Sequence, residues 1–406
     1  MKAVGIVVEY NPFHNGHLYH LESAKEITGA DIAIAAMSGS FLQRGEPALV
    51  SKWARTKMAL LNGVDIVFEL PYKFSTQKAE LFARGAVSIL DAAGCSHLCF
   101  GSESGEAGAF EKTAAFIDAN RPAYDGLIKK YSKTGVSYPR AASLAFADLN
   151  PPPDTIPLSQ PNNILGYHYV KSISSLNSRM KPMTVRRKNA NYHDEDFSSA
   201  TIASATSLRK ALFAGDSGLE GIGRYIPGQT RKILLEYMGE FGGFHNWESY
   251  WPFLKYRLLQ SSPEDLGTIY EAEEGLENRL VEAARRSANF QEFMEFAKTK
   301  RYTWTRIQRL CTHVLVNAKK EEMAADSTGA SYLRLLGMTE KGRSYLNMHK
   351  GTLGLPLVSK LSSFPGTEIN LDIRASAVYS LGIPGTPGQN LLEMEYSQPP
   401  VLIEKG

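Results

Sequence analysis

The residues with the most chemical content lie in Glu9-Tyr10-Asn11-Pro12-Phe13-His14-Asn15-Gly16-His17, directly after a short apolar run. If a helix begins there, His14 and His17 stand at its N-terminus, where free backbone N–H groups and the helix dipole favour an anion. Two imidazoles at that place suit phosphate oxygens as hydrogen-bond donors, and Gly16 lets the backbone approach closely. A second helix start, Ile202-Ala203-Ser204-Ala205-Thr206-Ser207-Leu208-Arg209, carries hydroxyls and ends its first turn with arginine. Taken alone, that segment reads as an ordinary capped helix in which Ser204 and Thr206 satisfy backbone donors. Taken with the first, it describes a site for a polyphosphate.

Two such segments, nearly 200 residues apart, need a common scaffold. Short β-branched runs alternating with helical periods supply one, since that alternation marks a parallel sheet covered by helices. Strands are expected at Ala3 to Glu9, Asp31 to Met37, Asp65 to Leu70, His97 to Phe100 and Met183 to Arg187. Helices are expected from Gly16 to Thr28, from the cap Ser51 to Gly63, from Gln77 to Ala93, from the cap Asn162 through Leu176, and from Ser204 to near Gly215. The proline-rich stretch Asn150 to Pro161 can be neither helix nor central strand and is expected to cross the surface. Residues 1–215 thus read as an α/β, Rossmann-like nucleotide-binding domain, in which ligands bind beyond the carboxyl ends of the strands.

Beyond residue 215 the texture changes. Helical periods at Lys232 to Met238, Trp251 to Gln260, Glu264 to Ala288, Phe290 to Phe296 and Thr305 to Lys320 point to a mainly helical domain over 216–330. A tail, 331–406, is expected to pack on the preceding domains, with a short helix around Tyr332 to Leu336. The run Lys298-Thr299-Lys300-Arg301-Tyr302-Thr303-Trp304-Thr305-Arg306 leads into a helix that places Tyr302, Arg306, Arg309 and His313 on one face. Ile307, Leu310, Cys311 and Val314 form an apolar stripe beside that face. No acid interrupts Lys298 to Lys320, and basic residues interleaved with aromatics suit RNA phosphates and bases. Arg285 and Arg286 are further candidates for phosphate contacts.

Composition narrows the classes. With 45 Lys plus Arg against 42 Asp plus Glu, the net charge of +3 advertises no nucleic-acid or membrane partner by itself, so any basic site has to be local. Three cysteines, Cys95, Cys99 and Cys311, read as reduced thiols, which favours a cytoplasmic location. No apolar stretch reaches the length of a spanning helix. No carboxylate cluster suggests a resident metal.

The paired signature, HxGH after the first strand and a later SxTxxR helix start, resembles the nucleotidyltransferase superfamily of the class I synthetase type. His14 and His17 match the first part, and Ser204, Thr206 and Arg209 the second. The longer strings GIVVEYNPFHNGHLYHL, MSGSFLQRGEPALVSKWARTKMAL, DIVFELP, FGSE and KRYTWTRIQR resemble one family within it, the tRNA(Met) cytidine acetate ligases, and the resemblance runs from Met1 into the tail. It implies an Rossmann-like catalytic domain in which ATP and acetate give acetyl-adenylate and pyrophosphate. The acetyl group then passes to the wobble cytidine of elongator tRNA(Met), giving N4-acetylcytidine. The resemblance places catalysis at His14, His17, Thr206 and Arg209. It places ATP on the stretch Val7, Val8, Glu9, Tyr10, Asn11, Pro12, Phe13, His14, Asn15, Gly16, His17, Leu18, Tyr19 and His20, together with Gly101, Asn162, Arg187 and Ser204. Mg²⁺ is expected only through the ATP phosphates. For acetate, the loop after the second strand offers Ser40, Gln43 and Arg44 as donors and Phe41 as an apolar wall. For tRNA, the expected contacts are Lys298, Lys300, Arg301, Tyr302, Arg306 and Arg309. A small-molecule adenylyltransferase of the pantetheine-phosphate or nicotinamide-mononucleotide kind would share both phosphate motifs, yet leave the basic helix without a role.

Overall fold

The computed structural model describes residues 1–187, 201–214, 218–324 and 328–404. Gly215, near which the helix from Ser204 is expected to stop, lies outside them. Five strands, β1 (Ala3–Val8), β2 (Ile32–Ser38), β3 (Ile66–Leu70), β4 (His97–Ser102) and β5 (Lys181–Arg186), pair in parallel in the order β5-β4-β1-β2-β3. The chain runs outward from β1 through β2 to β3 and then returns to lay β4 on the other side of β1. That reversal makes the β1/β4 junction the switch point, where a crevice opens at the carboxyl ends of the strands. Alternation along each strand divides the core. Val4, Ile6, Ala33, Ala35 and Val67 face one side, and Ala3, Ile32, Ile34, Ile66 and Phe68 face the other. Both faces are buried, which is why these strands read as unbroken apolar runs.

The helices that position the site are α1 (Asn15–Thr28), α2 (Lys52–Leu61), α3 (Ala79–Ala92), α4 (Pro161–Ser175) and α5 (Ala205–Phe213). Later in the chain come α6 (Trp247–Gln260), α7 (Leu276–Arg286), α8 (Trp304–Val316), α9 (Asn370–Ser380) and α10 (Gly385–Ser397). The helix α1 stops at Gly29 in the left-handed conformation, and α2 starts on Ser51, whose hydroxyl accepts from Ala54 N–H at 3.3 Å. Apolar residues of α6, α7 and α8 join the same buried cluster as Val4 and Ile6, so the helical half packs on one face of the sheet.

Three sequence expectations are corrected. The segment around Tyr332 to Leu336 is not a short helix: Leu333–Thr339 forms β6, antiparallel to β3, and β7 (Leu357–Val358) and β8 (Val401–Ile403) pair beside it. Its adjacent leucines fit either period, and pairing with β3 decides. The period from Glu264 to Ala288 is not one helix; it breaks after Gly267, with Glu271, Glu274 and Gly275 at positive φ, before α7 resumes. Asn162 does not cap α4, because Gln160 holds the cap position ahead of Pro161.

Two structural histidines set an expected pH response. His245 lies between the hydroxyls of Tyr237 and Tyr250, at 2.9 and 2.5 Å, and stacks on Tyr379 at 3.9 Å. Burial holds its pKa down at about 3, and that of His313 at about 4. Because the unfolded chain protonates first, the stabilisation they give is complete above pH 6.5 and is lost as the pH falls toward 4. Each contributes about 1.4 kcal/mol of loss per unit below 6.5. Asp372 opposes them, since burial and the Glu69 charge raise it to about 7; its stabilisation grows as the pH falls below 7. Urea unfolding at pH 7.5 and 5.5 should show lower stability at 5.5, and His313→Gln should flatten that difference.

Candidate active site at the β1/β4 switch

The helix start after β1 is built by its own histidines. Gly16 N–H donates to His14 Nδ1 at 3.0 Å, and His14 N–H donates to His17 Nδ1 at 3.3 Å. Each Nδ1 therefore accepts, which leaves each neutral imidazole with its proton on Nε2. The rings stack with centroids 3.7 Å apart. Burial, then the charges of Arg187 and Arg209, lowers His14 to about 3, and burial holds His17 well below its ordinary value. The pair thus offers uncharged donors over the physiological range. A Cβ on Gly16 would lie 2.9 Å from the His14 ring, so glycine is required by this cap.

The second helix start is tied to the first. The amide of Asn15 donates to the carbonyls of Thr201 and Arg224, at 2.9 and 3.0 Å, bringing α5 beside α1. Ser204 caps α5 by accepting from Ser207 N–H at 3.1 Å. Arg209 donates to the Asn11 carbonyl at 2.9 Å and to Glu46 at 2.7 Å, so its guanidinium is locked across the β1 loop. Asn11 accepts from Leu49 N–H at 2.6 Å, which identifies Oδ1 and leaves Nδ2 as a buried donor with no partner among the described residues.

A cleft of 1260 Å³ joins these groups. Its wall includes His14, His17, His20, Ser204, Thr206 and Arg209, with Gly101, Asn162 and Arg187 at the β4/β5 end. There Arg187 donates to Asn162 Oδ1 at 3.0 Å, and Asn162 donates to Glu103 at 2.7 Å. Other members of the Val7 to His20 stretch serve the scaffold: Phe13 is wholly buried, and Pro12 and Leu18 do not line the cleft.

Of the loop residues expected to face a small anion, Gln43 and Arg44 border the cleft. Ser40 is a correction. Its hydroxyl lies 3.1 Å from that of Ser376 on α9, below the cleft, and Phe41 is buried beside it. The half-buried Glu9 accepts from Gln43 N–H at 2.8 Å, and burial raises its pKa. The loop leans on α8: Gln308 donates to the Arg44 carbonyl at 3.0 Å and Thr312 to that of Gly45 at 2.7 Å. Gly45, at φ +78, would bring a Cβ within 2.6 Å of the Arg309 backbone.

The basic run is only partly as expected. Arg301, Arg306 and Arg309 border the same cleft as His14, whereas Lys298, Lys300 and Tyr302 do not. Tyr302 is 7% exposed, with its hydroxyl on Glu274 at 3.0 Å, and is not a free stacking platform. His313 is fully buried against the Tyr72 hydroxyl at 2.9 Å, off the expected face. Acids absent from the run arrive from the break before α7. Glu271 grips Arg309 at 3.0 Å, Glu274 meets Arg301 at 2.6 Å, and Glu273 and Glu274 lie 3.6 and 3.7 Å from Arg306. Arg285 and Arg286 are exposed, with Arg286 paired to Glu282. Sequence reasoning missed the far wall of the cleft, where Arg121, Tyr124, Tyr138, Tyr167 and His168 converge from three helices. The one available signal was the proline-rich connection, whose Leu158, Ser159 and Pro161 also border it.

A parallel sheet with a paired-histidine helix start at its switch point defines a nucleotidyl transferase, and residues 1–393 match the family model described as HIGH Nucleotidyl Transferase. The chain is 51% identical to the tRNA(Met) cytidine acetate ligase of Bacillus subtilis (strain 168), across 100% of this chain and 98% of that protein. It is 50% identical to that of Geobacillus sp. (strain WCH70), across 99% and 100%. The crystal structure of apo Thermotoga maritima TmcAL superposes with a TM-score of 0.92 at 34% identity, and the form bound with alpha-thio ATP with 0.90 at 33%, each over 100% of both chains. The chain belongs to the HIGH nucleotidyl transferase family and, within it, to the tRNA(Met) cytidine acetate ligases.

Proposed function

We propose that this protein is an ATP-dependent ligase that activates acetate and acetylates the wobble cytidine of elongator tRNA(Met). A carboxylate oxygen of acetate attacks the α-phosphorus of ATP, the bond to the β-phosphate breaks, and pyrophosphate leaves. The N4 amine of cytidine then attacks the carbonyl carbon of acetyl-adenylate, AMP leaves, and N4 gives up a proton. The observation that carries this reading is the convergence on one cleft of two helix N-termini, the Nε2 donors of His14 and His17, and arginines from the helical half. The first step needs electrostatic stabilisation of a crowded phosphorus centre more than a covalent nucleophile, and such donors supply it. Thr206 and Arg209 complete the phosphate side. Gly101, Asn162 and Arg187 border the β4/β5 end, where the nucleoside of ATP is placed. Mg²⁺ enters with the ATP phosphates.

The RNA approaches over Arg301, Arg306 and Arg309, with Lys298 and Lys300 exposed beyond them. No described helix is long and apolar enough to cross a membrane, and work on tRNA fits a cytoplasmic setting. Acetate-dependent release of pyrophosphate, followed by labelled acetate appearing on cytidine in tRNA, tests the whole reading; pyrophosphate release with a phosphorylated small molecule and no labelled RNA would sink it. The acetate side has its own test. Arg44→Ala is expected to raise the KM for acetate by about tenfold or more while moving that for ATP by less than about twofold, the loss of one charge-assisted hydrogen bond. An unchanged acetate dependence would remove Arg44 from the pocket.

A further inference from the structure

Acetyl transfer removes a proton from the N4 amine, so the cleft has to offer a group that can take it. Glu9, Glu46, Glu80, Glu271, Glu273 and Glu274 border the cleft. All but the first are engaged by cations: Glu46 by Arg209 at 2.7 Å, Glu80 by Lys171 at 3.2 Å, Glu271 by Arg309 at 3.0 Å, Glu273 by Arg306 at 3.6 Å and Glu274 by Arg301 at 2.6 Å. Protonation would cancel the charge that holds each of those pairs together. Glu9 alone of the six has no ion pair among the described residues. Its Oε1 accepts from Gln43 N–H at 2.8 Å. Its Oε2 makes no hydrogen bond among the described residues, yet it is not one of the buried polar atoms closed off from solvent without a partner; it therefore opens into the cleft that Glu9 borders. The imidazoles do not compete for the proton. His14 and His17 use Nδ1 to accept backbone N–H groups at the α1 start, and each Nε2 already carries its hydrogen.

Glu9 also stands where the acyl group changes hands. It lies between β1 and the α1 start that carries the residues proposed for the phosphates, and Gln43 N–H ties its carboxylate to the loop proposed for acetate. The carbonyl carbon of acetyl-adenylate joins those two parts, since its methyl comes from acetate and its phosphate from ATP. We infer that Glu9 Oε2 is the general base of acetyl transfer, taking the proton from N4 of the target cytidine as N4 closes on that carbon. The C–N bond forms, the bond from the carbonyl carbon to the phosphate oxygen breaks, AMP leaves with that electron pair, and the proton then passes from Glu9 to water. The inference rests on the acetyl-transfer reading and supplies what a delocalised, weakly nucleophilic amine needs. Burial raises the Glu9 pKa, which strengthens the carboxylate as a base. Around it stand Arg44 and Glu46 on the loop of Gln43, Arg209 on α5, Tyr169 on α4, and Arg55 on α2, whose guanidinium donates to the Glu9 carbonyl at 2.9 Å. Glu46 adds to the rise, whereas the Gln43 N–H, Arg44 and Arg209 act against it without cancelling it.

The experiment separates the two half-reactions. Glu9→Gln keeps the side-chain shape and an oxygen to accept from Gln43 N–H, and it removes the base. Two rates are read on each protein: acetate-dependent exchange of pyrophosphate into ATP, which uses no RNA, and single-turnover acetylation of tRNA from acetyl-adenylate supplied ready-made. E9Q is expected to lose about 100-fold or more in the second rate, and at least about tenfold more there than in exchange. The wild-type transfer rate is expected to fall at low pH, about tenfold per unit, on a limb whose midpoint lies above the ordinary glutamate value of 4.5, and E9Q is expected to lack that limb. A wild-type transfer rate that stays flat from about pH 8 down to 4.5 would overturn the inference even if the variant fails to fold. So would an acidic limb that survives in E9Q, or equal losses in the two rates, the result for a residue that only holds the loop or the nucleotide. Wild-type protein that exchanges pyrophosphate but leaves native tRNA unacetylated would instead overturn the acetyl-transfer reading itself.

Discussion

Alanine in place of His17 is expected to slow acetate-dependent pyrophosphate release by about 100- to 1,000-fold, the usual loss for one preorganised donor to developing charge. The stability cost should be far smaller, about 1–2 kcal/mol, because what the fold loses is one cap acceptor, that for His14 N–H at 3.3 Å, and the ring stacked on His14 at 3.7 Å. The split between activity and stability is the informative part. An imidazole kept only to cap α1 would cost both alike and modestly. The tautomer argument adds a pH signature. Both Nδ1 atoms accept backbone protons, and His14 titrates at about 3 in the free protein. Adenylation should therefore show no inflection assignable to the free enzyme's His14 between pH 6 and 8. A break near 6.5 that disappears in His14→Asn would mean that the donor works as an imidazolium and would overturn the neutral-donor assignment.

That site was legible because its cause is local. A glycine between two histidines at a helix start is a short-range pattern, and the unbroken apolar run of β1 shows which end of which strand carries it. The same holds for the second helix start at Ser204. The sequence misled wherever the deciding partner was distant. Leu333 to Leu336 satisfy either period, and only pairing with Phe68 and Glu69 makes them strand. The run Lys298 to Lys320 has no acid of its own, but a break in the helical period after Gly267 delivers Glu271, Glu273 and Glu274 to its arginines. Gln77 reads as the start of a helix, but the helix begins at Ala79, and the Gln77 side chain accepts from a hydroxyl 193 residues away. The common cause is that periodicity reports which face is buried and not what meets it.

The largest effect on folding is expected at Glu395, which does not line the cleft. This carboxylate of α10 is 2.9 Å from Lys52 of α2 and 2.6 Å from Arg334 of β6, and Glu69 of β3 lies 2.8 Å from Lys52 and 3.3 Å from Arg334. All four side chains are nearly fully buried. Burial alone would push the Glu395 carboxyl up, but Lys52 and Arg334 hold it below its ordinary value. Two cations balance two anions, so the cluster is neutral only when complete. Glu395→Ala leaves two buried cations facing one carboxylate, and removing one partner of such a group costs about 3–5 kcal/mol. Urea unfolding should register that loss, whereas Arg286→Ala, which breaks the exposed pair with Glu282, should leave the midpoint unchanged. The cluster also reaches the cleft loop from beneath. Lys52 donates to Ser376 at 3.2 Å, Ser376 lies against Ser40, and a Cβ on Gly39 would sit 2.4 Å from a Glu69 oxygen. A chain carrying Glu395→Ala that remains folded at low temperature should therefore lose acetate affinity before ATP affinity, since Gln43 and Arg44, the residues proposed for acetate, stand on that loop and those proposed for the phosphates do not. Equal loss of both would separate the cluster from the loop and leave it a purely global stabiliser.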